Sequence, residues 1–380
     1  MRMIRKIGNS LIMLFLILFR HIDFPTKPRL IKIGNPNKDS LVILSGNYFY
    51  TVNRLCSILK GFDCFLLVAR SSGSNVWCAA GMGEFTEHDI IDIVNFTGIK
   101  ELAKSRTIIM PPAAAVGINV KRVKEDTGFS IQWAPYHYTH LPNYLRNDCK
   151  KESYMYKMPF PIRDRIEMAL GTATMMSLFP AFICVFWMRI FFLQTICMIY
   201  VVTLSNFILY PYLPKERFFL RTFLSTVFYM GVLAGIGIWV EWSLGYWVLS
   251  EVTVLLISFL SSADMCGSTV VVKTTIAHWL KTGNYESLFQ PIINGALCTG
   301  CGKCIDVCPK GVFQRSSQDR KVNAVTPTDC FECLACIKQC DRSAIYNLHP
   351  GIYKKDIRSI PDLEYLMARN LPDDPNKVIK

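Results

Sequence analysis

From residue 166 to residue 263 the chain passes through four apolar segments, at about 166–188, 190–213, 218–240 and 244–263, separated by short polar breaks. Each approaches or exceeds the roughly 20 residues that an α-helix needs to cross about 30 Å of hydrocarbon. In lipid every backbone N–H and C=O must find its partner internally, which restricts such a stretch to helices. The remaining sequence is therefore split into a part before a membrane region and a part after it. Hydrophobic residues make up 51% of the chain, high for a soluble protein, and the excess lies in this stretch.

The breaks between the segments carry an orientation code. Arg163 and Arg165 precede the first segment, Lys215, Arg217 and Arg221 fall between the second and third, and Lys273 and Lys281 follow the fourth. The other two breaks hold only Arg189 and Glu241. Basic residues thus mark one side, expected to be the cytoplasm. An even number of spans returns the chain to its starting side, so both flanking parts are expected to face the cytoplasm from a multi-pass protein of the cytoplasmic membrane. The net charge of +13 is assigned to that lipid surface. No nucleic-acid-binding motif accompanies it, and nucleic acid is not expected as a partner. At the N-terminus Arg2, Arg5 and Lys6 precede an apolar run from Leu11 to Phe19, which ends at Arg20-His21 and not at a small-residue cleavage site. It reads as a membrane-surface or core helix, with a secretory signal or anchor as the alternative.

Residues 40 to 145 alternate strand and helix signals. Leu41–Leu44, Phe65–Val68, Thr107–Met110 and Ser130–Trp133 are short runs of strand length. Helix candidates lie between them at Val52–Lys60, Glu87–Phe96 and Asn119–Asp126, the last stopped by Gly128. Such βα alternation argues for a small parallel α/β layer.

Fifteen cysteines in a small secreted domain would suggest disulfides. Here eight of them form two arrays, Cys298-x2-Cys301-x2-Cys304-x3-Cys308-Pro309 and Cys330-x2-Cys333-x2-Cys336-x3-Cys340. The double x2 spacing folds three thiolates around one face of a four-iron cube, and the fourth cysteine of each run serves the other cluster. Cys298, Cys301, Cys304 and Cys340 are thus expected to hold one [4Fe–4S] cluster, and Cys308, Cys330, Cys333 and Cys336 a second. The second run continues Cys340-Asp341 where proline is usual. Thiolate ligands require a reducing compartment.

A ninth cysteine stands apart in Ser74-Asn75-Val76-Trp77-Cys78-Ala79-Ala80-Gly81. Ser74 or Asn75 can cap a short helix through Val76–Ala80, closed by Gly81 and Gly83. Cys78 then projects from one turn whose neighbours Ala79, Ala80 and Gly81 lack bulk, and Trp77 can pack beneath. On the residues alone such a cysteine is more often buried and inert.

The run Asn75-Val76-Trp77-Cys78-Ala79-Ala80-Gly81 resembles the signature of HgcA, the corrinoid protein family of mercury methylation. The similarity continues through Asn47-Tyr48, Val123-Lys124, Gly128-Phe129 and Pro159–Arg165. The cysteine arrays resemble the family's ferredoxin partner, HgcB, normally a separate chain. The resemblance implies a fusion of the two. It would comprise an α/β (Rossmann-like) corrinoid-binding domain, a multi-span α-helical membrane domain and an α+β two-cluster ferredoxin domain. It further implies that Cys78 ligates the cobalt of a cobalamin-type corrinoid, with Asn75, Val76, Trp77, Ala79, Ala80 and Gly81 lining the cofactor. The corrinoid domain of that family is similar to one in the corrinoid iron–sulfur protein of acetyl-CoA synthesis.

Domains are expected at 1–24 (apolar segment), 25–165 (corrinoid), 166–264 (membrane), 265–290 (linker), 291–349 (ferredoxin) and 350–380 (tail). Implied partners are a methylated folate or pterin (or its methyltransferase), a low-potential electron donor and an electrophilic acceptor such as Hg(II). A corrinoid must be strongly reduced to take a methyl group, and low-potential clusters reach roughly −400 mV or below. The chain departs from the resembled families at Met82, where lysine is usual, at Glu84, and in a tail without the expected cysteine pair.

Overall fold

The structure is a computed structural model, and it describes residues 11–186, 191–213, 218–265, 291–330 and 333–347. These fall into two compact units, one drawn from residues 1–22 and 160–268, the other from 23–159 and 269–380. Arg189, Lys215, Arg217, Lys273, Lys281 and the tail lie outside the described residues.

In the second unit, β1 (Arg29–Ile33), β2 (Leu41–Gly46), β3 (Cys64–Ala69), β4 (Thr107–Met110) and β5 (Ser130–Trp133) form one sheet in the order β1-β3-β2-β4-β5. β3, β2, β4 and β5 run parallel, while β1 is an antiparallel edge strand pairing Arg29 with Val68. All six residues of β3 are buried, because both faces of the sheet are covered. Side chains alternate between the two faces. Val42, Leu44, Phe65 and Leu67 enter one apolar cluster, and Ile43, Leu66 and Val68 the other.

The helices sort by crossover direction. From β2 the chain steps one way to β3 through α2 (Phe49–Ile58), whose Val52 and Leu55 cover the second face. It then steps the opposite way to β4 and β5 through α4 (Glu87–Thr97) and α6 (Val120–Thr127), which cover the first. Right-handed crossovers in opposite directions place helices on opposite faces. The order therefore reverses between β2 and β4, the position at which open α/β sheets form a crevice beyond their carboxyl ends.

The cysteine arrays lie in a small fold of two two-stranded antiparallel sheets. β6 (Pro291–Ile293) pairs with β9 (Ile345–Asn347), and β7 (Phe313–Arg315) with β8 (Val322–Ala324). Two short helices, Lys303–Val307 and Ala335–Lys338, each follow a residue in the left-handed conformation, Gly302 at φ 82° and Leu334 at φ 59°.

In the first unit, residues 11–18 are helical, and the side chain of Arg20 lies close against Gly171. Four apolar helices follow: α8 (Ile162–Phe186), α9 (Phe192–Ile208), α10 (Phe218–Trp239) and α11 (Leu244–Met265). Three contain stretches long and apolar enough to cross a membrane, Ile162–Ile183, Leu220–Trp239 and Leu244–Met265. The second expected segment is helical for only 17 residues. It stops ahead of Pro211, which lacks the N–H that would continue the α-helical hydrogen bonding, and the chain runs on as a 3-10 turn, Tyr210–Tyr212. Large apolar side chains such as Phe179, Leu193, Ile238 and Trp239 point outward, while serine, threonine and asparagine fill the interior. Asn206 Nδ2 donates to Ser261 Oγ at 3.0 Å, and Asn206 Oδ1 accepts from Ser225 Oγ at 2.7 Å. Arg221, read above as a connector charge, lies within α10 and is fully buried, donating to the Ser262 carbonyl at 2.6 Å.

Candidate functional site

The loops beyond the carboxyl ends of β2, β3 and β4 gather the polar groups of the α/β domain. Asn47, immediately after β2, is buried and acts as a hub. Its Oδ1 accepts from Ser71 N at 2.8 Å and Gly73 N at 3.0 Å, and its Nδ2 donates to Thr26 O at 2.9 Å. One side chain thus fixes the loop that leads into α3 (Val76–Met82).

Asn75 caps α3. Its Oδ1 accepts from Cys78 N at 3.0 Å, satisfying one of the free donors of the first turn. Its Nδ2 donates to Cys78 Sγ at 3.2 Å. The same amide therefore orders the turn and places a proton donor on the sulfur. Gly83 ends the helix at φ 83°, two residues beyond Gly81, which lies inside it. Cys78 is half-buried, Ala79 and Ala80 are buried, and Trp77 is partly buried against the apolar cluster beneath. Met82 is exposed.

The 3-10 turn Pro112–Val116 after β4 packs on α3. Close approach depends on Gly117, where a Cβ would stand 2.4 Å from Phe85 O and 2.9 Å from Ala80 Cβ. After β5, His137 is buried, with Nδ1 2.5 Å from Thr139 Oγ1.

The structure brings the eight array cysteines into two groups. Cys298, Cys301, Cys304 and Cys340 line one cavity. Burial, with Cys301 and Cys340 close by, pushes the Cys304 thiol up to about 12. The Cys336 thiol is raised well above its ordinary value by burial, and next by Cys330, Cys333, Cys308 and Cys304. Thiols desolvated in this way keep their protons unless a positive charge replaces them, and among the described residues no group of three or more His, Cys, Asp or Glu is arranged to hold a metal ion. Cys308 Sγ accepts from Val312 N and Cys340 Sγ from Ala344 N, both at 3.3 Å. Asp341 in place of proline therefore leaves this hydrogen bond in place, and its carboxylate takes Lys303 Nζ at 2.5 Å.

The two parts of this unit touch. The Tyr136 hydroxyl donates to the Val307 carbonyl, Met158 N donates to Pro309 O at 3.0 Å, and Lys151 Nζ pairs with Asp306 Oδ1 at 3.0 Å. Burial holds the Tyr136 phenol well above its ordinary value, so it remains a donor. Gln339 Nε2 donates to the carbonyls of both Ala115 and Ile118 at 2.8 Å. Apart from Pro309 in the first cysteine array, sequence reasoning singled out none of these contact residues. Polar residues outside a motif carry no signal of what they will face. Asn47 had one, a polar residue closing a buried strand.

Comparison with known proteins agrees with two separate parts. Residues 23–143 match the family described as CO dehydrogenase/acetyl-CoA synthase delta subunit, and residues 297–345 match the 4Fe-4S dicluster domain. The gamma subunit of the acetyl-CoA decarbonylase/synthase complex of Methanopyrus kandleri is 28% identical over 125 residues, 32% of this chain and 26% of that one. The gamma subunit from Methanocaldococcus jannaschii is 29% identical over 128 residues, 33% of this chain and 26% of its own. The chain thus spans about a quarter of the length of these relatives. An uncharacterized ferredoxin of M. jannaschii is 36% identical over 55 residues, 14% of this chain and 71% of that ferredoxin.

Proposed function

We propose that this chain, which through residues 297–345 belongs to the 4Fe-4S dicluster ferredoxins and through residues 23–143 carries a domain like the corrinoid iron–sulfur proteins, is a membrane-bound corrinoid methyl carrier with its own reductant. Cys78 would hold the cobalt, and the two cysteine groups would each hold a four-iron cluster. A corrinoid supplies a metal that can accept and release a methyl group, and the clusters supply low-potential electrons. The remaining chemistry belongs to the chain's own residues.

Cys78 offers sulfur, a stronger charge donor than imidazole, and axial-ligand identity is a main protein control over a macrocycle metal. The Asn75 amide moderates the charge on that sulfur by hydrogen bonding to it. Asn47 keeps the loop before Asn75 in one conformation, and the small side chains at Ala79, Ala80 and Gly81 let a flat ligand approach. The single observation that carries the reading is the Asn75–Cys78 pair at the first turn of α3, beside the crevice where strand order reverses. A methyl group leaving as a carbanion or radical suits an electrophilic, thiophilic acceptor such as Hg(II).

A second acceptor class is favoured by the relatives, which are acetyl-CoA decarbonylase/synthase subunits, and by Met82. In that reading the methyl group passes to a partner in one-carbon metabolism. A membrane-anchored electron carrier without methyl chemistry is the remaining rival. The α8–α11 region would tether both soluble parts to the cytoplasmic face.

Anaerobic purification separates these readings. A corrinoid spectrum beside the iron–sulfur band, with iron and cobalt near eight to one, is expected of two four-iron clusters and one corrinoid. Incubation with a methyl donor, reductant and Hg(II) or alternative acceptors then identifies the product. Cys78→Ala should abolish transfer and leave iron content unchanged. Full iron with no cobalt macrocycle would leave only the electron carrier.

A further inference from the structure

Gln339 joins the two halves of its unit more tightly than any motif implies. Its side chain is 1% exposed, and one amide nitrogen serves two carbonyls at the end of the Pro112–Val116 turn. Carbonyls at the end of such a turn have no partner within it, and leaving them buried and unpaired is costly. Glutamine suits the position because its NH2 carries two donors.

The hydrogen bonds and the ion pair that join the two parts gather around Cys308 and the second cysteine array, and the Lys157 side chain lies close against Gly311. Asp306, Val307 and Pro309 stand beside Cys308, and Gln339 lies between Cys336 and Cys340 in the sequence, its amide turned toward the Pro112–Val116 turn. Cys333 belongs to the same apolar cluster as Ala79, Ala80, Ala114 and Ala115, and Cys336 packs against it. Cys301 of the other group is exposed. The Pro112–Val116 turn touches α3 on one side and the short helix Ala335–Lys338 on the other. A continuous packed path therefore runs from Cys333 through this turn to the helix that carries Cys78.

We propose that the group of Cys308, Cys330, Cys333 and Cys336 is the inner half-site that passes electrons toward Cys78, and that Gln339 is the positioning residue holding it there. The assignment rests on the function proposed above. The outer group, with its exposed Cys301, receives electrons from an external low-potential one-electron donor. One electron is taken up at the outer half-site and one is gained by the acceptor beside Cys78. No covalent bond forms or breaks.

Hydrogen–deuterium exchange on the full chain in detergent, under anaerobic conditions, tests the latch. In Gln339→Ala, peptides covering 112–118 and 303–309 should exchange about tenfold faster, with strands β2 and β3 unchanged and iron retained. Tyr136→Phe, far from any cysteine in sequence, should shift the same peptides in the same direction. Unchanged exchange in both variants would overturn the latch. Iron loss from both would replace positioning with support of the cluster ligands, and overturn it equally.

Electron order is read by paramagnetic resonance. Dithionite-reduced Cys301→Ala should still reduce the bound corrinoid, whereas Cys333→Ala should not, although its outer centre is reduced. The reverse order would overturn the assignment. If no corrinoid binds, the proposed function fails, while the exchange result still decides whether the ferredoxin is latched through Gln339.

Discussion

The side chain of Asn75 reaches Cys78 twice, accepting its backbone N–H at 3.0 Å and donating to its sulfur at 3.2 Å. Helix capping and control of the sulfur are thereby vested in one residue, and substitution can separate them. Asn75→Asp keeps the acceptor and loses the donor, so α3 should stay formed while a negative charge faces the sulfur. Asn75→Ala loses both and should cost about 0.5–2 kcal/mol. Peptide-resolved alkylation at neutral pH should then find Cys78 slower to react in Asn75→Asp than in the parent chain. Equal rates would mean that the sulfur does not feel the amide.

Gly117 has an ordinary negative φ, so its requirement is for space and not for backbone freedom. A Cβ would meet Phe85 O at 2.4 Å and Ala80 Cβ at 2.9 Å. Gly117→Ala should force the Pro112–Val116 turn away from α3 at a cost of about 1–3 kcal/mol. A lower thermal midpoint, with faster exchange in residues 76–82, checks this.

Burial of the iron-ligand candidates gives a pH signature that depends on metal. Without iron, Cys304 in the folded state is raised to about 12 from an ordinary 9.0. A group that holds its proton more tightly when folded contributes stability that is complete below pH 9 and lost as pH rises toward 12. Iron-free protein should therefore become more sensitive to proteolysis within 291–347 across that interval. Iron-loaded protein has no such protons to lose and should stay resistant.

Lys151 is buried, and burial lowers its pKa even though Asp306 opposes the shift. The pair is lopsided, with the lysine side chain 5% and the aspartate 38% exposed. Asp306→Ala strands a buried cation and should cost more than Lys151→Met, which leaves only a hydrated carboxylate. The methionine variant should change stability by about 1 kcal/mol or less. Denaturant midpoints of the two variants give the comparison, and a larger loss in Lys151→Met would contradict it.

The four runs read as strands are β2, β3, β4 and β5: the inner parallel strands β2, β3 and β4 are largely buried and write apolar sequence, while the partly buried edge strand β5 alternates polar and apolar residues. β1 escaped notice since Arg29-Leu-Ile-Lys-Ile33 is half polar and lies at an edge. Asn119 and Gly128 bracket α6 by capping chemistry that depends only on neighbouring residues. In the apolar region, the period of hydrophobicity located helices but not their ends. Pro211 shortens α9, and Arg221 shows that a charge beside a break can still turn inward.

Local chemistry is thus what the sequence determined alone: thiol spacing, helix caps, strand alternation and apolar length, each acting between residues a few positions apart. The tertiary structure decided what lies beyond that range. It reversed the strand order between β2 and β4, set Gly117 against Ala80, and carried Gln339 to carbonyls 224 and 221 residues away. Such pairings follow from how packed layers meet, and no short-range pattern encodes which distant carbonyl an amide will find.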